Sequence, residues 1–268
     1  MNILIIRTCA IGDFVLNLPA LRALQKAYPK ATFTLAGYPS TLELARDFIN
    51  VQAIHSMETA PWNRLFYEAI PGLTANRAIV WMKDPSVADN LKASGVAAVL
   101  RADPFPASGH AARHLLESVE LPTPDLPDLW KGGGPLVLHP GSGGVRKCWP
   151  HFRELADRLE SPLFLLGPGE QDWDTGVHRR LEGLSLREVS AVLSTARGYI
   201  GNDSGITHLA GYIGCPAVAI FGPTDPHVWG PLGRRVRIVN WPSVEEAVIE
   251  AAFQAREWPS PSSPCETP

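Results

Sequence analysis

Twice along this chain, short apolar runs alternate with stretches of helical spacing, and a segment hostile to both structures separates the two series. In the first series the apolar runs are 2–7, 32–36, 78–82 and 97–100, and the helical stretches are 14–27, 42–48, 86–93 and 111–119. Strand followed by helix, repeated, predicts a parallel sheet with right-handed crossovers. From Leu121 to Pro135 the chain then carries four prolines and three glycines in fifteen residues, which stops any helix or central strand. Beyond it, strands are expected at 136–139, 163–166, 198–201, 217–221 and 236–239, with helices at 152–160, 186–195, 207–213 and 244–256. The expectation is α/β: two Rossmann-like, doubly wound parallel-sheet lobes, 1–120 and 136–257, facing a central cleft. A linker at 121–135 joins them, and a flexible Pro/Ser-rich tail at 258–268 follows.

Composition narrows the classes of function. A chain of 268 residues, 45% hydrophobic and 19% charged, has material for two packed cores. With 24 basic against 27 acidic residues there is no overall positive field, so nucleic acid is not an expected partner and any phosphate must be held locally. The opening run Met1-Asn-Ile-Leu-Ile-Ile-Arg7 is too short for a secretion signal, and no stretch of about 18 uncharged apolar residues occurs. Cys9, Cys148, Cys215 and Cys265 are far apart and read as reduced thiols, neither a disulfide framework nor a metal site. The expected location is the cytoplasm.

Ligands of doubly wound sheets sit at the carboxyl ends of strands, and three such loops have unusual composition. The first is Arg7-Thr-Cys-Ala-Ile-Gly-Asp13, where Gly12 suits a tight turn and Asp13 is either the helix N-cap or a carboxylate available as a general base. The second is His139-Pro-Gly-Ser-Gly-Gly-Val-Arg-Lys-Cys-Trp-Pro150; its glycine-rich turn through Gly143, with Ser142, Arg146 and Lys147, supplies amides, a hydroxyl and positive charge for a phosphate. The third is Gly201-Asn-Asp-Ser-Gly-Ile-Thr-His208, which opens a helix whose unpaired amides at 204–207 suit a diphosphate. There Asp203 could accept from a ribose or sugar hydroxyl, and His208 could face either ligand or core. Glu170, after Leu166-Gly-Pro-Gly, could reach a base or ribose. Asp172-Trp-Asp174 matches a bare D-x-D metal pattern but has no further ligands nearby and reads as a solvated turn.

With these loops in view, the chain resembles glycosyltransferase family 9, the bacterial lipopolysaccharide heptosyltransferases. ILIIRTCAIGDFVLNLPALRA at 3–23 resembles the family's opening strand, IGD loop and helix, and LHPGSGGVRKCWPHFREL at 138–155 its donor-phosphate segment. YIGNDSGITHLAGYIGCPAVAIFGPTDPHVWGPLG at 199–233 is similar to its C-terminal signature, and His110-Ala-Ala-Arg-His-Leu-Leu116 to a helix before its linker. The resemblance implies a GT-B fold, with acceptor on the first lobe and donor on the second. It implies inverting, metal-independent transfer, typically of heptose from ADP-heptose, with no cofactor. By the same resemblance Asp13 falls on the proposed catalytic base. Ser142 and Lys147 fall on phosphate contacts, Glu170 near the nucleoside, and Asp203, Ser204, Gly205 and His208 on the diphosphate and sugar motif. Arg7 and Gly12 then stand on the acceptor side. The family uses first-lobe cations to hold phosphate or Kdo carboxylate groups; here 50–75 offers only Arg64, leaving Arg7, Arg46, Arg77, Lys83, Lys92 or Arg101 to substitute. A lipid-linked glycan acceptor would bring peripheral contact with the inner membrane.

Two rivals keep the fold: a transferase or epimerase using UDP- or GDP-sugars, and a degenerate relative that binds nucleotide sugar without turning it over. A Rossmann dehydrogenase is excluded, because no GxGxxG follows the first strand of either lobe.

Overall fold

A computed structural model describes the backbone of residues 1–257 and the side chains of residues 1–251; the expected tail at 258–268 lies outside the described residues. The chain separates into two compact units, Met1–Pro124 and Asp125–Pro268.

In the first unit, β1 (Asn2–Arg7), β2 (Thr32–Gly37), β3 (Val51–Ser56), β4 (Arg77–Trp81) and β5 (Val99–Ala102) form a sheet of order β3-β2-β1-β4-β5. Every pairing in it is parallel. The crossovers carry α1 (Ile11–Ala27), α2 (Pro39–Leu42) and α3 (Ser86–Ala93), and α4 (Ala111–Glu117) follows the last strand. β1 is an unbroken apolar run because it is the central strand, with Ile3 to Ile6 buried on both faces. One face packs Leu4, Ile6, Ala78 and Val80 against Leu65, Val87 and Leu91.

In the second unit, β6 (Leu136–His139), β7 (Leu163–Leu165), β8 (Arg179–Leu181), β9 (Gly198–Asn202), β10 (Ala217–Phe221) and β11 (Val236–Asn240) stand in the order β11-β10-β9-β6-β7-β8. These pairings are parallel too. Its helices are α5 (Phe152–Asp157), α6 (Leu186–Thr195), α7 (Gly205–Tyr212), α8 (Pro226–Trp229) and α9 (Val244–Glu257). Leu138, Ile200, Val218 and Ile220 pack against Phe152, Leu155 and Val244 on one face. α6 opens with a capping box, in which Ser185 accepts from the Glu188 amide while Glu188 accepts from that of Ser185.

Both sheets reverse their winding once, between β1 and β4 in the first unit and between β6 and β9 in the second. A doubly wound sheet opens a crevice at that reversal, outside the carboxyl ends of the two strands. The three loops singled out above begin at three of these four strand ends, those of β1, β6 and β9.

The proline-rich joining stretch is only partly a tether. Asp128 pairs with Arg235 through both carboxylate oxygens, at 2.9 and 3.1 Å. Trp130 is buried, gives its indole N–H to Ala196 O at 2.7 Å and lies under the Arg235 guanidinium. Lys131 and Gly134 then donate to Ser194 O and Thr195 O at the end of α6. From Asp128 onward this segment is packed on the second unit.

Candidate functional site

In the first unit the loop after β1 is shorter than the spacing suggests, because α1 begins at Ile11 with Ala10 as its N-cap. Asp13 is therefore the third residue of the helix and caps nothing, so its N-cap reading is removed. Gly12 is likewise the second helical residue, among the first-turn amides, with no left-handed φ; the tight turn expected there is absent. A carboxylate in the first turn is favoured by the helix dipole. Beside it Arg7, only 5% exposed, donates from Nη1 to Trp81 O at 3.3 Å and so ties the ends of β1 and β4 across the reversal. Its Nε is buried without a partner. Burial pushes the Cys9 thiol up to about 12, Arg7 opposing that rise and Asp13 adding to it, so the three groups are electrostatic neighbours.

The other first-unit cations divide sharply. Arg101 donates to Met82 O and Lys83 O at the carboxyl ends, and exposed Lys83 follows β4. Arg77 begins β4, at the opposite end of the sheet, and bonds the Tyr28 hydroxyl, while Arg46, Lys92 and Arg64 pair with Glu43, Asp89 and Glu68. Only Arg7, Lys83 and Arg101 of that set stand at the ligand-binding end.

In the second unit the expected residues gather around Asp203. Lys147 Nζ lies 2.7 Å from Asp203 Oδ2, and His208 Nε2 lies 3.8 Å from Oδ1. Ser142 Oγ donates to Asp203 O at 2.7 Å, which fixes the β6 loop to the β9 loop across the reversal. Burial would push the Asp203 carboxyl up; contacts from His208, Lys147 and Thr224, with the Lys147 charge, override it and hold the group at about 2. His208 is itself buried, with Nδ1 unpartnered. Gly143 has open space around it.

Ser204 caps α7, accepting from the Thr207 amide at 3.3 Å. This corrects the expected set of four unpaired amides: the Thr207 N–H is taken, and the cap leaves over those of Ser204, Gly205 and Ile206. Thr207 Oγ1 meets Tyr199 Oη at 2.8 Å and the Asn202 carbonyl, which anchors the helix start to β9.

Glu170 folds back on its own turn, accepting from the Gly167 amide at 2.8 Å. A Cβ on Gly141 would sit 2.4 Å from its Cδ, so the glycine is what lets this carboxylate lie against the loop after β6. Burial lowers the pKa of His139, opposed by the contact of its Nδ1 with Leu165 O at 2.8 Å and by the Glu170 charge. Asp174 is occupied by Arg153 and the Gly176 amide, in keeping with a structural turn. Among the described residues no group of three or more His, Cys, Asp or Glu gathers, and no helix is long and apolar enough to cross a membrane.

Two contributors were missed from sequence. Asn202, fully buried at the end of β9, donates to Pro140 O at 2.6 Å and accepts from the Trp149 amide at 2.9 Å. A lone amide side chain between an apolar run and Asp-Ser-Gly was the available signal. Thr224, from the loop after β10, completes the set on Asp203.

Two doubly wound parallel units, each with polar side chains gathered at its reversal, make up a GT-B architecture, and solved structures of that kind match. The chain superposes on the E. coli heptosyltransferase WaaC with ADP at a TM-score of 0.72 and 20% identity, covering 96% of this chain and 99% of that one. For the E. coli ADP-heptose LPS heptosyltransferase II the values are 0.76 and 17%, with the same coverage. In sequence it is 32% identical over 126 residues to lipopolysaccharide heptosyltransferase 1 of Pseudomonas aeruginosa, covering 41% of this chain and 34% of that protein. It is 30% identical over 115 residues to lipopolysaccharide heptosyltransferase 2 of Salmonella typhimurium, covering 36% and 33%. These alignments span about a third of the length of the curated relatives. The model of glycosyltransferase family 9 (heptosyltransferase) matches residues 131–250, nearly all of the second unit. The second unit thus resembles the heptosyltransferase domain of glycosyltransferase family 9.

Proposed function

We propose that this chain transfers a heptose from ADP-heptose to a hydroxyl of a lipopolysaccharide-core glycan, with inversion and without a metal. The observation that carries the reading is the cluster of Lys147, Asp203, His208 and the start of α7 at the reversal of the family domain. The second unit takes the donor. The diphosphate lies against the amides of Gly205 and Ile206 and the glycine-rich turn at Ser142 and Gly143, with the Lys147 ammonium beside it. Asp203 holds Lys147 and His208 in place through its ionised carboxylate. Glu170 accepts from the ribose.

Asp13 is the base. It takes the proton of the acceptor hydroxyl as that oxygen bonds to the anomeric carbon and the bond to the diphosphate oxygen breaks. One displacement with one base inverts the configuration, by the reasoning that separates inverting from retaining glycosidases. Charge accumulates on the departing diphosphate, so Lys147 and the α7 amides act most strongly in the transition state. Arg7, with Lys83 and Arg101, attracts an anionic acceptor, and the amide of Gly12 lies in the same turn as the base.

Thermal stabilisation by ADP-, UDP-, GDP- and CMP-sugars, with and without EDTA, tests the reading. A ligand at 100 times its dissociation constant adds about 2.7 kcal/mol. The expected result is a shift confined to ADP compounds, largest for ADP-heptose and unchanged by EDTA. A preference for UDP or GDP discards the heptose, and turnover abolished by EDTA and restored by manganese discards the metal-free route.

A further inference from the structure

Trp241, directly after β11, is built into the edge of this site and has no part in the functions assigned so far. Its φ is 37°, a left-handed value that costs a bulky residue free energy, and its ring is half exposed. Three contacts hold it there. Its amide donates to Phe221 O at 3.0 Å. The carbonyl of the next residue, Pro242, accepts from the indole of Trp149, the residue that closes the β6 loop, at 3.0 Å. Finally, the ring lies across Gly222: a Cβ there would sit 1.9 Å from Nε1. Gly222 has no left-handed φ, so the space, not the backbone, requires the glycine. Two residues on, Thr224 reaches Asp203. A strained tryptophan, with one glycine cleared for it and its loop tied to the Asp203 cluster, is a positioned surface and not a stray exposed ring.

The sheet order places Trp241 on the β10–β11 side of the reversal, while Glu170 follows β7 on the opposite side. A nucleotide sugar has its diphosphate in the middle and one ring at each end. With the nucleoside at Glu170, the other ring falls on the β10–β11 side. We propose that Trp241 is the floor of the donor-sugar subsite, stacking against the C–H face of a pyranose. Those C–H groups are weakly positive and meet the negative face of the indole, while exposed Asn240, the preceding residue, and Thr224, two residues after Gly222, offer polar side chains for hydroxyls. This rests on the donor site proposed above.

Calorimetric titration of wild type, Trp241→Ala and Trp241→Phe with ADP and with ADP-heptose tests it. The alanine variant should bind ADP within about twofold of wild type and ADP-heptose about tenfold more weakly, with phenylalanine recovering much of the loss. Equal weakening of both ligands would move the ring to the nucleoside and overturn the assignment. So would unchanged affinity for both in a variant whose melting temperature matches wild type. If wild type itself ignores ADP compounds but binds another nucleotide, the donor reading fails and the same comparison, made with that nucleotide and its sugar, still decides Trp241. Binding of no nucleotide would sink both.

Discussion

Replacing Asp203 by asparagine should remove the steepest part of this protein's acid sensitivity. The carboxyl is held at about 2 against an ordinary 3.8; burial works against this, and the contacts from His208, Lys147 and Thr224 outweigh it. Each unit of that difference is worth about 1.4 kcal/mol, so ionised Asp203 contributes about 2 kcal/mol at neutral pH. The side chain is only 5% exposed, so solvent screening does not erase the figure. Because the folded value lies below the unfolded one, the contribution is complete above about pH 4 and vanishes as the pH falls through about 2. Urea unfolding of wild type and Asp203→Asn between about pH 6 and pH 2 reads it directly. Wild type should lose about 2 kcal/mol more than the variant over that range, since all other groups cancel in the difference. Lys147→Met, which deletes the paired charge, should move the loss to higher pH. Parallel curves for wild type and the asparagine variant, or a carboxyl ¹³C titration of Asp203 near 3.8 or above, would refute the account of how this cluster is held.

Asp13→Asn should lower turnover about 100-fold or more while leaving ADP-heptose affinity nearly intact; equal losses in turnover and affinity would give the residue a structural role instead. Gly141→Ala forces its Cβ onto the Glu170 carboxyl. It should weaken nucleotide binding by about 1–3 kcal/mol in the wild-type background and add nothing to Glu170→Ala, whereas additive losses would separate the two residues. Asn17, fully buried in α1, has neither amide atom hydrogen-bonded. Asn17→Leu should therefore raise stability by about 1 kcal/mol or more in a melting experiment, and a fall would show that the pocket is shaped for an amide.

Central strands were legible because burial on both faces demands continuous apolar runs, as in β1, β6 and β10. β3 and β8 escaped notice for the opposite reason. Val-Gln-Ala-Ile-His-Ser and Arg-Arg-Leu are outer strands, half-solvated, with no such run. The helix expected at 42–48 is α2, started early by Pro39, followed by a tight 3₁₀ stretch at Glu43–Asp47. α8 has four residues, too few for a period. The side chains around Asp203 were nearly all nameable from loop composition, since glycine, serine and lysine at strand ends imply phosphate chemistry. Which of them clamp the loops was not. Asn202 and Arg7 act through carbonyls of residues 62 and 74 positions away, and sequence spacing does not encode such partners.

The packing of Asp128 to Gly134 changes where this chain can be cut. By composition Gly132-Gly-Gly134 is the softest point in the molecule. Yet Gly132 and Gly134 donate to carbonyls at the end of α6, and Trp130, two residues before Gly132, is buried and bonded to Ala196 O. A protease must straighten about ten residues of backbone to cleave, and here that would first require pulling an indole out of the second unit. Nicking should fall instead before Asp128, among the prolines at 122, 124 and 127. The carboxyl-terminal fragment would then keep Trp130 and its tie to Arg235, so the most flexible-looking letters of the sequence belong to the part that stays whole.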